Sequence, residues 1–395
     1  ENWVPAPYMR RALTVRAGLK NATLTVCGLG FYRVFADGQE YTKGIIAPYV
    51  SNPDDFLYYD SYDLTAVLTE GKHAIGFILG NGMLNCVGGQ PWGFHNARWR
   101  SAPKVAFALE LTYEDGGRET IEASEQLRCA PSPIIFDDFR GGEWYDATRE
   151  IEGWCSPDFD DSAWTSALPA ETPRGTCRLC DCEPIVTREE RKAVNIYRGG
   201  IAEFGTMRSD YPVLPMEGVE GYEKGWIYDF GVNSAGLCRL HINAKAGQKL
   251  VLQFAEEVDI KGEGNLDLRG VNLLPSRINQ RDCYICREGE QTFRPNFTYH
   301  GFRYCLVLGL EDEQATEDLL TYEIMSSDIK KIGDFSCSDD TLNRLEKTAK
   351  IGDKLEPRVN EIDETISTLT ESITKQKEEN RKTLMDVRES VQTVK

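Results

Sequence analysis

Val105-Ala106-Phe107-Ala108-Leu109-Glu110-Leu111-Thr112-Tyr113 places an apolar side chain at every second position and stops at Asp115-Gly116. A period of two sends alternate side chains to opposite faces of an extended chain, one buried and one wet. Asp-Gly readily supplies the positive φ of a tight hairpin. Working outward, the run from Ala22 to Phe35 ends in the same way at Asp37-Gly38. Short strands follow at His73–Leu79, Leu237–Lys245, Lys249–Phe254, Asp282–Cys286 and Phe302–Leu308, with Gly, Pro, Asn and Asp in the gaps. Few segments before Leu342 keep a helical period. This pattern predicts a mainly β chain of two consecutive antiparallel β-sandwich or jelly-roll domains, not a parallel α/β sheet.

A Gly-, Pro- and Cys-rich connection at Pro173–Pro184 sets a junction near residue 185. The first domain is expected over 1–185 and the second over 186–335. After Ser336-Cys337-Ser338-Asp339-Asp340 the composition changes, and Ser338 or Asp339 suits the cap of a helix starting near Thr341. Residues 336–395 are expected to form a helix and a coiled-coil-like tail. Leu355, Val359, Ile362, Ile366, Leu369 and Ile373 step by alternating fours and threes, the a/d rhythm of a coiled coil. Gln376 and Asn380 continue the seam with polar residues, and the expected result is a homo-oligomer, dimer or trimer.

The chain has 395 residues, 45 Lys plus Arg against 63 Asp plus Glu, and a formal charge of -18. Such acidity argues against nucleic acid and anionic membrane as partners. No apolar run approaches the ~18 residues that span a bilayer. Twelve cysteines at irregular spacing make a poor disulfide framework, so reduced thiols and a cytoplasmic location are expected. In that setting the acceptor patterns at Asn21 and Asn296 carry no meaning. The sequence opens Glu1-Asn2-Trp3, without methionine or signal peptide, and reads as a piece of a longer chain whose upstream leader stays undecided. Cys177-x-x-Cys180, with Cys182 nearby, and Cys283-x-x-Cys286 have zinc-like spacing. The second pair falls on a strand, where positions i and i+3 face opposite ways.

Phe136-Asp137-Asp138-Phe139-Arg140-Gly141-Gly142-Glu143-Trp144-Tyr145-Asp146 combines carboxylates with aromatic rings. Sugar sites need hydroxyl partners and an aromatic face, and carboxylates also suit calcium. Asp137, Asp138, Glu143 and Trp144 are therefore candidate carbohydrate contacts, and Asp137 and Asp138 candidate calcium ligands. The competing reading is an acidic loop that organises a domain junction. A second candidate is Trp92 in Gly88–His95, set against interface packing. His300 reads as a packing histidine and His241 as a solvated one. Gly231 after Asp229-Phe230 reads as a turn.

The ordered set of motifs carries a resemblance. Ala22-Thr23-Leu24-Thr25-Val26-Cys27-Gly28-Leu29-Gly30-Phe31-Tyr32, Ala47-Pro48-Tyr49, Ile78-Leu79-Gly80-Asn81-Gly82 and Gly142-Glu143-Trp144-Tyr145-Asp146 come first. Phe159-Asp160-Asp161-Ser162-Ala163-Trp164, Tyr228-Asp229-Phe230-Gly231-Val232-Asn233 and Tyr299-His300-Gly301-Phe302 follow. Together they resemble the N-terminal and middle β-domains of bacterial α-L-rhamnosidases, glycoside hydrolase family 78. The resemblance covers about the first 350 residues. It implies a jelly roll followed by a concanavalin-like domain, and rhamnose-containing glycans or glycosides as partners. It also implies that catalytic carboxylates come from an (α/α)₆ barrel beginning near Leu342-Asn343-Arg344-Leu345. The coiled-coil-like pattern takes over there instead, and Asp181-Cys182-Glu183-Pro184 only echoes the barrel's early motif. No catalytic residue is assigned, and no cofactor is required. The expected role is a non-catalytic accessory region. The alternatives are part of an active rhamnosidase whose barrel lies elsewhere, and a coiled-coil scaffold.

Overall fold

The computed structural model describes residues 4–86, 96–203, 224–259, 263–271, 280–330 and 333–345. The chain forms two units, Glu1–Ile329 and Lys330–Lys395.

The first unit is built of strands. A six-stranded sheet runs in the order Thr165–Ser166, Arg128–Pro131, Pro7–Val15, Gly71–Gly80, Phe31–Ala36, Gln39–Glu40. A five-stranded sheet runs Thr176–Leu179, Phe56–Asp63, Leu19–Leu29, Lys104–Tyr113, Arg118–Glu122. Leu24, Val26, Phe107, Leu109 and Leu111 from the second sheet pack with Val34, Ile75 and Phe77 from the first in one core. The alternation in Val105–Tyr113 does what the sequence predicts. Phe107, Leu109, Leu111 and Tyr113 are buried, while Ala106 before them and Glu110 among them are exposed. Both Asp-Gly turns bend the backbone with positive φ, at Asp37, Gly38 and Gly116. The Ala22–Phe35 run is two strands, because Gly30 breaks it with a φ of 94° and sits against the Gly80 carbonyl.

The third sheet has twelve strands. Its longest, Lys224–Ala244, pairs with Asn195–Glu203, His300–Leu308, Leu320–Ser327 and Gly289–Phe293 along its length. It can serve so many partners because it bends. The register shifts between Asp229 and Ser234, where Gly231 has a φ of 75°. Gly231 is thus a bulge inside a strand and not a turn before one. Arg303 holds the bend with two hydrogen bonds to Asp229 of 2.8 and 3.0 Å.

Strand His300–Leu308 is buried on both faces. Cys305 and Val307 join one core with Phe230, Phe254 and Tyr322. Tyr304, Leu306 and Leu308 join another with Ile227 and Val251. Strict alternation would put Phe302 on one face with Tyr304, but Phe302 packs with Cys305 and Val307. A third cluster joins the two halves of the unit through Tyr8, Phe31, Ile78, Phe139, Leu237 and Phe297.

Residues Ile134–Asp146, which the boundary near 185 places with the first domain, pair into the twelve-stranded sheet. Gly142–Asp146 runs parallel to Arg281–Ile285. In the second unit a helix occupies 340–345. Asp339 caps it, accepting hydrogen bonds from the amides of Thr341 (2.7 Å) and Leu342 (3.2 Å). The seam from Leu355 to Ile373 lies outside the described residues. Among the described residues, no helix is long and apolar enough to cross a membrane.

Candidate functional site

The acidic and aromatic segment is a β-hairpin, Ile134–Asp138 against Gly142–Asp146, with Asp137 opposite Glu143. Asp138 shapes the turn by accepting hydrogen bonds from the amides of Arg140 (3.1 Å) and Gly141 (2.7 Å). Gly142 follows with a φ of 130°, and a Cβ there would lie 1.9 Å from the Arg281 carbonyl oxygen. Only glycine lets the hairpin lie this close to the neighbouring strand.

The hairpin carboxylates are spent on the protein's own N–H groups. Asp137, fully buried, accepts from the Asn81 amide at 2.6 Å and from Asn81 Nδ2 at 2.8 Å. Asn81 also donates to the Val4 carbonyl and accepts from Asn85. Glu143, also fully buried, accepts from the Asn296 and Phe297 amides and from Asn296 Nδ2, all at 2.9 Å. The Glu143 amide donates to Asp282 Oδ1, which also meets His300 Nε2 at 3.0 Å. His300 stacks on Phe254 at 4.4 Å, the packing role its sequence context predicts. His241 is exposed beside Glu290 and Thr292, again as expected.

Burial pushes the Asp137 carboxyl up to about 7 and the Glu143 carboxyl up to about 8, against the pull of their N–H donors. Each is penalised further by the other acids nearby. Trp144 is buried, 5.4 Å from Phe136, and its indole N–H meets no partner among the described residues. The hairpin thus brings Asp137, Asp138, Glu143 and Trp144 together, but as an internal fastener. Asp137 ties it to the first half of the unit through Asn81, and Glu143 ties it to the second half through Asn296 and Phe297. The tie residues Asn81 and Asn296 carry no separate mark in the sequence. Their signal is weak, a polar Asn between Gly80 and Gly82 and another just before Phe297. Trp92 lies outside the described residues.

As a cation site the pair Asp137–Asp138 is poorly suited. The Asp137 oxygens and Asp138 Oδ1 face N–H donors, which a cation would have to displace. Among the described residues, no group of three or more His, Cys, Asp or Glu side chains is arranged to hold a metal ion. All twelve cysteines are free thiols. Cys286 is in the core beside Phe254, while Cys283 packs on the opposite face with Val251 and Leu306, as strand geometry requires.

Comparison with known proteins agrees with this architecture. Residues 17–189 match the α-L-rhamnosidase N-terminal domain, and residues 220–325 match the bacterial α-L-rhamnosidase concanavalin-like domain. An α-L-rhamnosidase of Formosa agariphila is 29% identical over 360 residues, covering 87% of this chain and 34% of that protein. One of Streptomyces avermitilis is 27% identical, covering 85% of this chain and 30% of that protein. The solved α-L-rhamnosidase from Dictyoglumus thermophilum superposes with a TM-score of 0.70 at 27% identity, over 86% of this chain and 34% of that one. The Streptomyces avermitilis enzyme, solved with L-rhamnose, gives 0.70 at 26% identity, over 87% and 30%. The chain therefore spans about a third of the length of these relatives. With both domain matches in chain order and the fold shared, the chain belongs to the bacterial α-L-rhamnosidases as their N-terminal and concanavalin-like β-region.

Proposed function

We propose that this region is the non-catalytic β-platform of an α-L-rhamnosidase-like glycoside hydrolase that acts on rhamnose-containing glycans or glycosides. The observation that carries the proposal is the use made of the acidic hairpin. Glycoside hydrolysis normally needs two carboxyl groups facing each other across a scissile bond. Asp137 and Glu143 face N–H donors inside the fold instead. Residues 1–185 and 186–335 are proposed as its successive domains, the first lending its hairpin to the sheet of the second. The free thiols support a reducing, cytoplasmic setting. The test is direct. Purified chain mixed with an aryl α-L-rhamnoside should release no more aglycone than buffer does. Reproducible turnover by contaminant-free protein would overturn the reading.

A second reading rests on the Leu355–Ile373 spacing, which supports self-association through the tail. Sedimentation should then give a dimer or trimer that becomes a folded monomer when residues after Lys350 are removed. A monomeric intact chain at tens of micromolar would refute it.

A further inference from the structure

Strand Phe56–Asp63 changes partner part-way along its length. Asp60–Asp63 pair antiparallel with Thr23–Val26, whereas Phe56–Tyr59 pair parallel with Thr176–Leu179. Cys27 is the first residue of Leu19–Leu29 beyond that antiparallel ladder, and Cys177 belongs to the strand that takes over. At this exchange point the Cys27 thiol hydrogen-bonds with the Cys177 thiol, although the two are far apart in the chain. Cys27 is half-buried and Cys177 is exposed. The contact runs between strands, not along the Cys177-x-x-Cys180 spacing, and the nearby Cys182 thiol is engaged by the Tyr58 hydroxyl.

A disulfide needs two sulfurs brought close and a backbone free to reach bridging geometry. The strand that carries Cys177 has that freedom. All four of its residues are exposed, and among the described residues its one ladder is to Phe56–Tyr59. Two hydrogen bonds hold its ends, from the Thr176 amide to the Asp55 carbonyl at 3.2 Å and from the Cys180 amide to the Tyr59 carbonyl at 2.8 Å. So short and exposed an element opens locally at little cost. We propose that Cys27 and Cys177 are an oxidisable pair that closes to a disulfide when a hydroperoxide reaches Cys177, fastening the segment between the two domains to the first sandwich. The exposed Cys177 is the attacking sulfur, because burial pushes the Cys27 thiol up to about 12. Cys177 gives its proton to solvent, and its thiolate attacks one peroxide oxygen. The O–O bond breaks, one water leaves, and Cys177 becomes a sulfenic acid. The Cys27 sulfur then attacks the Cys177 sulfur, the S–O bond breaks, and the departing hydroxide takes the Cys27 proton as a second water. Two thiols lose two electrons, and one hydrogen peroxide is reduced to two waters. The thiol pool of a reducing compartment would reopen the bond.

The test treats the fully reduced intact chain with equimolar hydrogen peroxide, caps the remaining thiols with N-ethylmaleimide, and digests with trypsin without reduction. Cleavage after Lys20, Arg33, Arg174 and Arg178 puts Cys27 and Cys177 in separate peptides, and Cys180 and Cys182 together in a third. The expected main product is Asn21–Arg33 joined to Gly175–Arg178, released by dithiothreitol. Cys27→Ala should leave Cys177 as a sulfenic acid that dimedone captures, and Cys182→Ser should leave the yield of the bridge unchanged. Oxidation should also slow hydrogen exchange at the Thr176 and Cys180 amides by about tenfold or more, since the strand loses its freedom to open. A main product that joins Cys180 to Cys182, joins Cys177 to either of them, or links two chains would overturn the proposal. So would a Cys27 that still takes up maleimide after Cys177 has been oxidised, or amide exchange that oxidation leaves unchanged.

Discussion

The hairpin Ile134–Asp146 and the rim cleft invite opposite first impressions. Between Phe136 and Asp146 the hairpin packs four carboxylates with Trp144 and Tyr145, an inventory that suits a sugar or a cation. Among the described residues, the lining of the cleft at one rim of the first sandwich, which includes Leu57, Leu84 and Ser51, holds no charged side chain, and its aromatic walls come from positions as far apart as Tyr49 and Trp99. Yet Asp137 and Glu143 are fully buried, while the cleft's Tyr49, Tyr58 and Trp99 are partly open to water. Local composition shows which groups are available, and the partners brought in by folding decide whether those groups look outward.

Removing Glu143 tests the hairpin side of this contrast most severely. Three N–H groups, on Asn296 and Phe297, depend on its two oxygens. Glu143→Ala strands the Phe297 amide in the interior and the two Asn296 groups in a half-buried position, and buried donors without partners cost about 1–3 kcal/mol each. A loss of about 3–5 kcal/mol is expected in a denaturant titration, enough to threaten folding of a typical domain. A change below about 1 kcal/mol would mean that water reaches these donors, and the hairpin would become an open site after all.

Gly142→Ala probes the same junction through the backbone. The residue has a φ of 130°, and the added Cβ would overlap the Arg281 carbonyl. Strand Gly142–Asp146 would have to move from Arg281–Ile285, at an expected cost of about 2–4 kcal/mol. Gly116→Ala is the internal control. It also has positive φ, but nothing lies within 4 Å of its Cβ position, so a cost of about 1 kcal/mol is expected.

Much of the fold was legible from sequence because alternation reports burial directly. Val105–Tyr113 needs one buried face, and a strand of that period meets the need wherever its partners come from. The Asp37-Gly38 and Asp115-Gly116 turns are equally local. The cap at Asp339 was legible for the same reason. What the sequence hid was set by distant chain. Asp137 meets Asn81 from 56 positions away, and Glu143 meets Asn296 from 153. No local signal distinguishes such a carboxylate from one facing solvent. Strand His300–Leu308 shows the same limit. With both faces buried it loses the alternation that would reveal which residues share a core. The cleft was hidden because its walls converge from separate loops.

The pH dependence of stability gives a subtler measure of the hairpin's burial. Folding raises the carboxyls of Asp137 to about 7 and of Glu143 to about 8, whereas both ionise near 4 in an unfolded chain. Between those limits the folded state holds more protons than the unfolded one, so their contribution falls as pH rises. It is fully present below about pH 4 and has been lost once pH passes about 8. The thermal midpoint should therefore decline from pH 5.5 to pH 8.5, and Glu143→Gln should make that decline shallower. A midpoint that is flat or rising over this range would show that the N–H donors outweigh burial and keep both groups ionised.

The smallest effect concerns the thiols, and it maps exposure without perturbing the fold. Cys177 and Cys182 are exposed, close to the cleft, whereas Cys86, Cys155, Cys238, Cys286 and Cys305 are buried. A disulfide reagent is attacked by the thiolate, so reaction needs both access and ionisation. Burial pushes Cys86 and Cys286 up to about 12 and Cys155 to about 11, and it raises Cys238 as well, where Cys305 reinforces the shift. In native protein at neutral pH, Cys177 and Cys182 should be labelled in a fast phase, and the five buried thiols only as the chain unfolds. Glu143→Ala should bring Cys286 and Cys305 into reach, because they share the core of the sheet to which the hairpin pairs, Cys305 within a strand and Cys286 just after one. Peptide mapping after a short pulse reads both outcomes at once. Early labelling of Cys305 in unaltered protein would contradict the closed junction on which the comparison rests.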